Sequence, residues 1–125
     1  MRFAKYTFIV AGIYGLIVTI PQYFLETKNG IDYPPAITHP EYFYGFVGVV
    51  MAFQIIFLLI GSDPLRYRPL MLVSALFEKF PFVIAVYALY ALGRVYSIMV
   101  GLATIDLILG VLFMISYFKT AKTEN

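Results

Sequence analysis

Residues 69–118, PLMLVSALFEKFPFVIAVYALYALGRVYSIMVGLATIDLILGVLFMISYF, hold two apolar runs separated only by Gly93-Arg94-Val95. Each run, roughly 69–92 and roughly 96–118, matches the ~20 apolar residues that carry a helix across ~30 Å of hydrocarbon. So short a link makes two such helices antiparallel neighbours. Toward the N-terminus two further runs of the same kind follow, roughly 4–24 and 42–61. The reading is an all-α, integral membrane, up-down four-helix bundle, with residues 1–125 forming a single four-span domain. The first run could pass for a signal peptide, but it has no small-x-small site after its core and continues into Gln22-Tyr23-Phe24, so it reads as a retained span.

Composition agrees. The 125 residues are 62% hydrophobic and 13% charged, whereas a soluble domain is nearer half apolar and a quarter charged. Net charge is only +2, which gives no basis for nucleic-acid binding. Cysteine is absent, which excludes disulfides, thiol catalysis and thiolate metal sites. With a single histidine, His39, no metal is expected. Tyrosine is abundant and tryptophan missing, so an aromatic belt at the membrane interface would be built from tyrosine.

The connections carry local signals. Residues 25–41 (LETKNGIDYPPAITHPE) read as one long outer loop with an Asn29-Gly30 turn and a Pro34-Pro35 stretch. Its end has the pattern of a capping box, Thr38 as N-cap and Glu41 three residues on, with Pro40 in the first turn. Ser62 or Asp63 caps similarly before Pro64. Arg2 and Lys5 precede the first span, Arg66 and Arg68 separate the second and third, and Lys119 and Lys122 follow the fourth. The opposite side has Lys28 and Arg94. This bias predicts both termini in the cytoplasm (N-in/C-in), with 25–41 outside.

Polar groups break the apolar pattern at one depth. Counted at 1.5 Å per residue, Glu78 lies about 14 Å from one face and Asp106 about 15 Å from the other, with Gln54 within about a turn of both. Ionisable groups at that depth are costly and mark function by default. Small neighbours, Ser74 and Ala75 by Glu78 and Ala103 and Gly110 by Asp106, point both carboxylates into the bundle. Span one offers a facing stripe of Ala11, Gly15 and Thr19. Lys79 is about 100° round the helix from Glu78, so Lys79 pairs better with Asp106 across helices than with Glu78. Pro81 leaves the Phe77 carbonyl without its donor, and Pro21 does the same to Ile17 near Thr19 and Gln22. Both kinks give room for a small polar cavity.

With these spans and IDLILGVLFMISYF (105–118) in view, the chain resembles the DoxX-like group of small bacterial four-helix membrane proteins, which carry an acid and then a glycine in the last span, here Asp106 and Gly110. The stretch 39–82, HPEYFYGFVGVVMAFQIIFLLIGSDPLRYRPLMLVSALFEKFPF, is similar to one branch of that type. The resemblance implies a bacterial inner-membrane location and a lipophilic redox partner such as a quinone. A weaker, architectural resemblance to sterol-isomerase and sigma-2-type proteins implies intramembrane acids lining a lipophile pocket. Small multidrug transporters place their acid in the first span, where this chain has none.

The expected function is binding of a small lipophilic or amphipathic molecule, as an accessory or binding subunit, with a homo-oligomer or a partner membrane subunit as further company. The expected site is Glu78, Asp106, Lys79, Gln54, Thr19 and Gln22. One alternative is an enzyme acting on a lipophile, an isomerase or quinone-linked oxidoreductase, with Glu78 as acid/base. The other is a scaffold in which Lys79 and Asp106 staple the helices and Glu78 takes a hydroxyl from Tyr14, Tyr87 or Tyr90.

Overall fold

The computed structural model describes residues 2–124, with side chains through residue 121; the Lys122 side chain, one of the residues in the charge bias above, lies outside them. Four helices are long and apolar enough to cross a membrane: Arg2–Phe24, Pro40–Ser62, Arg68–Ala91 and Ser97–Ala121. The described residues are all-helical, with no strand among them, and those four helices have the length and composition of membrane spans.

The first long helix is α1 (Arg2–Thr19) followed by a 3-10 turn, Ile20–Phe24. Pro21 has no N–H to return to Ile17, and here the α ladder tightens rather than kinking open. A short α2 (Glu26–Asp32) comes next, then α3 (Pro40–Ser62). The third long helix has three parts: α4 (Arg68–Val73), a π-helical segment (Ser74–Lys79) and α5 (Phe80–Ala91). The fourth is α6 (Ser97–Glu124).

Three local expectations are corrected. Asn29-Gly30 is not a turn but part of α2, where Asp32 pairs with Lys28 at 2.9 Å and its hydrogen bond and charge raise the Lys28 pKa above the ordinary lysine value. The N-cap of α3 is His39, with no side-chain capping bond; Glu41 takes the His39 ring at 2.9 Å instead, so the Thr38 box does not form. Ser62 ends α3 and bonds back to the Leu59 carbonyl, while Asp63 accepts the Arg66 N–H in a turn ahead of α4.

End-to-end contacts establish the up-down alternation. At one end Lys119 lies over the Phe3 ring at 4.4 Å, and Arg68 donates to the Tyr117 carbonyl and the Thr120 hydroxyl. At the other end Tyr44 donates to Glu26, and Tyr96 donates to the Pro34 carbonyl. Both termini therefore share one end, called here the terminal end, and α2 sits at the opposite, loop end. Around the bundle α3 packs on α1, α1 on α6, and α6 on α4 and α5.

The two halves of the bundle are filled differently. The terminal half is dry: Phe8, Phe57, Phe113, Ile60 and Met71 are fully buried, with Phe8 and Phe113 stacked at 4.1 Å and Phe57 edge-on to Phe113 at 4.9 Å. Lipid tails are as apolar as these side chains, so in a bilayer this core stabilises through close packing rather than water release. The loop half holds a cavity.

Candidate functional site

The cavity has a volume of about 770 Å³ and is lined from all four long helices and from the segment after α2. Its floor sits directly on the dry core, where the Lys79 ammonium lies 5.2 Å above the centre of the Phe57 ring. A desolvated cation over an aromatic face is electrostatically favourable, so Phe57 serves as the boundary between the two halves.

Lys79 is almost wholly buried and donates to Asp106 Oδ1 at 3.1 Å. The interhelical pair expected from depth is present. The same ammonium also lies 3.5 Å from Glu78 Oε2, which the 100° argument disfavoured. The reason is local. Residues Ser74–Lys79 form a π turn in which the Phe80 N–H reaches back five residues to the Ala75 carbonyl, so successive side chains are set at angles an α-helix does not give. Pro81 follows at once and has no donor to lose, which makes this the place where the ladder can change register at least expense. A single lysine thus bridges two carboxylates on different helices.

Glycine makes the bridge reachable. A Cβ at Gly110 would stand 2.5 Å from the Phe80 ring and 3.2 Å from the Lys79 Cβ. Only a residue without one lets α6 approach closely enough for Lys79 to span to Asp106. Gly15 does the same on α1, where a Cβ would overlap the Gln54 side chain.

Gln54 is 2% exposed. Its amide N–H donates to the Val50 carbonyl at 2.8 Å, leaving Oε1 buried with no hydrogen-bond partner. Ser74 Oγ is likewise buried without one, while Glu78 Oε2 is buried with the Lys79 ammonium at 3.5 Å as its ion-pair partner. Buried polar atoms are nearly always satisfied, so the two orphans, Gln54 Oε1 and Ser74 Oγ, need an explanation. Glu78 takes no tyrosine hydroxyl: Tyr87 is engaged with Thr104 at 2.8 Å, and no hydrogen bond joins Glu78 to a tyrosine among the described residues.

Glu78, Asp106, Lys79, Gln54, Thr19 and Gln22 all line this one cavity. Thr19 is buried in its wall. Gln22, expected only as a ligand contact, already accepts the Asn29 amide at 3.0 Å, so it also ties α2 to the bundle. The sequence reading missed Asn29, Tyr33, Arg94 and Tyr96, which line the loop end; Arg94 had counted only as an orientation charge. Among the described residues no cluster of histidine, aspartate and glutamate has the make-up of a metal site. No protein-family model, curated protein or solved structure matches the chain.

Proposed function

We propose that this chain is a bacterial inner-membrane protein with both termini cytoplasmic, and that it binds a small lipophilic or amphipathic molecule as an accessory or binding subunit. The observation that carries the reading is the cavity of about 770 Å³ floored by Gln54, Glu78, Lys79 and Asp106. Its size lies within the ~300–1,000 Å³ of small-molecule sites, and apolar walls with a few convergent polar groups are their usual make-up. The Glu78 and Asp106 carboxylates beside Lys79, on residues that line the cavity, suit a head group that donates hydrogen bonds, while the apolar walls suit a hydrocarbon body. A quinol or another hydroxylated lipophile has that form, in line with the resemblance to the DoxX-like group. A scaffold role accounts for the Lys79–Asp106 pair but leaves the cavity without a purpose.

A second reading, an enzyme with Glu78 as acid/base, is favoured by one fact: a largely buried carboxyl group belongs to a residue on the cavity wall. The test is to extract and identify by mass spectrometry the lipophiles that co-purify with wild type and with Glu78→Gln. Binding predicts a stoichiometric lipophile on wild type and a reduced amount on the variant. An enzyme predicts that the folded variant retains unconverted substrate that wild type does not. A scaffold predicts only bulk lipid on both, and would overturn the proposal.

A further inference from the structure

A lipophile needs a way into a cavity whose aqueous end is roofed. Residues 25–39 lie over that end, with Asn29, Tyr33, Pro35 and Ile37 in the cavity lining, and are tied down at three places. Asn29 donates to Gln22 at the end of the first at 3.0 Å. Tyr44 on α3 donates to Glu26 at 2.9 Å. Tyr96, just ahead of α6, donates to the Pro34 carbonyl at 2.7 Å, with its ring 5.3 Å from that of Tyr33.

The lateral seams are unequal. At the α1–α3 seam the backbones come close enough that a Cβ on Gly12 would stand 2.9 Å from the Gln54 carbonyl oxygen. The α1–α6 pair is in contact, as is the α5–α6 pair behind its tight turn. The seam between α3 and the third long helix is different. It is packed through α4 and the π segment, in the terminal half, and has no comparable packing against α5. Above Lys79 it is bridged by a ring pair, Phe46 on α3 and Phe82 on α5, with centroids 6.4 Å apart. That is near the far end of the range for attractive aromatic pairs. Among the described residues no hydrogen bond or ion pair joins α3 to α5. Phe46 and Phe77, on either side of the seam, line the cavity while being 57% and 74% exposed, more than Val18 and Ile98, which line it beside the α1–α6 seam. Side chains that face both a cavity and the exterior mark an opening between them.

From this we infer that the cavity exchanges its occupant laterally with the hydrocarbon of the loop-side leaflet, through the α3–α5 seam, and that Phe46 and Phe82 are its gate. The inference rests on the lipophile-binding reading and adds to it the class of ligand: a molecule already dissolved in the bilayer, presented tail-side, and not a water-borne solute. Swinging either ring aside opens the seam without breaking a hydrogen bond, whereas opening the roof breaks three.

The cysteine-free chain permits a direct test with Phe46→Cys/Phe82→Cys in nanodiscs holding one protein each. The probe is a diazirine-bearing hexadecanol, photolysed after a timed incubation, with labelled peptides mapped by mass spectrometry. Labelling of cavity-wall residues such as Val50 and Leu102 should proceed with free thiols, slow at least tenfold when a short bis-maleimide bridges them, and speed several-fold in Phe82→Ala. Loosening the roof with Tyr44→Phe, which removes the bond to Glu26 at a residue outside the cavity lining, should leave the rate unchanged. Equal rates with and without the bridge, or a rate set by the roof variant, would overturn the lateral route while leaving the binding reading intact. Cavity residues unlabelled in every variant would instead sink the binding reading itself. Spontaneous Phe46→Cys linkage between chains in proteoliposomes would show the seam covered by a second copy, which also overturns the gate.

Discussion

Replacing Lys79 by methionine keeps the length of the side chain and removes the cation that Glu78 and Asp106 share. The Lys79 side chain is 4% exposed, those of Glu78 and Asp106 12% and 20%, so solvent screening is slight and the residual charges stay in a low-dielectric site. Breaking a buried pair by removing one partner costs ~3–5 kcal/mol. Lys79→Met belongs at the upper end because it leaves two acids and no cation between them, so the expected loss is about 5 kcal/mol. Asp106→Leu belongs at the lower end, about 3 kcal/mol, because the ammonium keeps Glu78 at 3.5 Å. If the pair is real the losses do not add: the double variant should fall short of their sum by at least ~2 kcal/mol, within the range found for residues in direct contact. Glu78→Gln/Lys79→Met/Asp106→Leu should be the most stable of the variants lacking Lys79. Reversible unfolding of the detergent-solubilised protein, followed by circular dichroism, gives these differences. Additive losses, or a costlier Asp106→Leu than Lys79→Met, would refute the bridged arrangement.

Other perturbations separate the two halves of the bundle. Phe113→Ala, deleting a fully buried ring stacked on Phe8, should cost ~3–5 kcal/mol in the same unfolding assay and leave the cavity floor in place. Gly15→Ala places a Cβ where the Gln54 side chain lies; because that side chain is flexible, the loss of stability should be modest, ~1–3 kcal/mol, with lipophile retention falling more than in Phe113→Ala. A reporter active only outside the cytoplasm should respond when inserted within 28–36 and stay silent at the C-terminus, as the basic-residue bias requires; a strong C-terminal signal would reverse the proposed orientation.

Much of this architecture could be read from composition alone, because length and apolarity define a long membrane-type helix almost without regard to residue order. The Lys79–Asp106 contact was legible because depth along two helices is a matter of counting. What stayed hidden depends on backbone geometry or on helix order. The π turn at Ser74–Lys79 changes the angular spacing that an α-helix assumption supplies, so the Glu78–Lys79 contact looked unfavourable. Asn29-Gly30 carries the dipeptide signature of a turn, yet Lys28 and Asp32 at i, i+4 hold it in a helix. Thr38 had the spacing of a capping residue, but the His39–Glu41 contact took its place. The gate was out of reach, since Phe46 and Phe82 are ordinary phenylalanines in apolar runs until the weak seam between α3 and α5 is known. Thr19, Gln22 and Gln54 could be named for one pocket, but the loop-end lining by Asn29, Tyr33, Arg94 and Tyr96 depends on how residues 25–39 fold back over the bundle.

The account stands or falls on whether the loop-side cavity holds a small molecule in the membrane. Native mass spectrometry of protein released from nanodiscs decides this most directly, comparing wild type with Val50→Trp, which fills the cavity from its wall without touching Lys79 or Asp106. The account predicts a single defined adduct on wild type, lost or reduced at least tenfold in Val50→Trp at unchanged helicity. An adduct that persists in Val50→Trp, or its absence from both proteins, would contradict it.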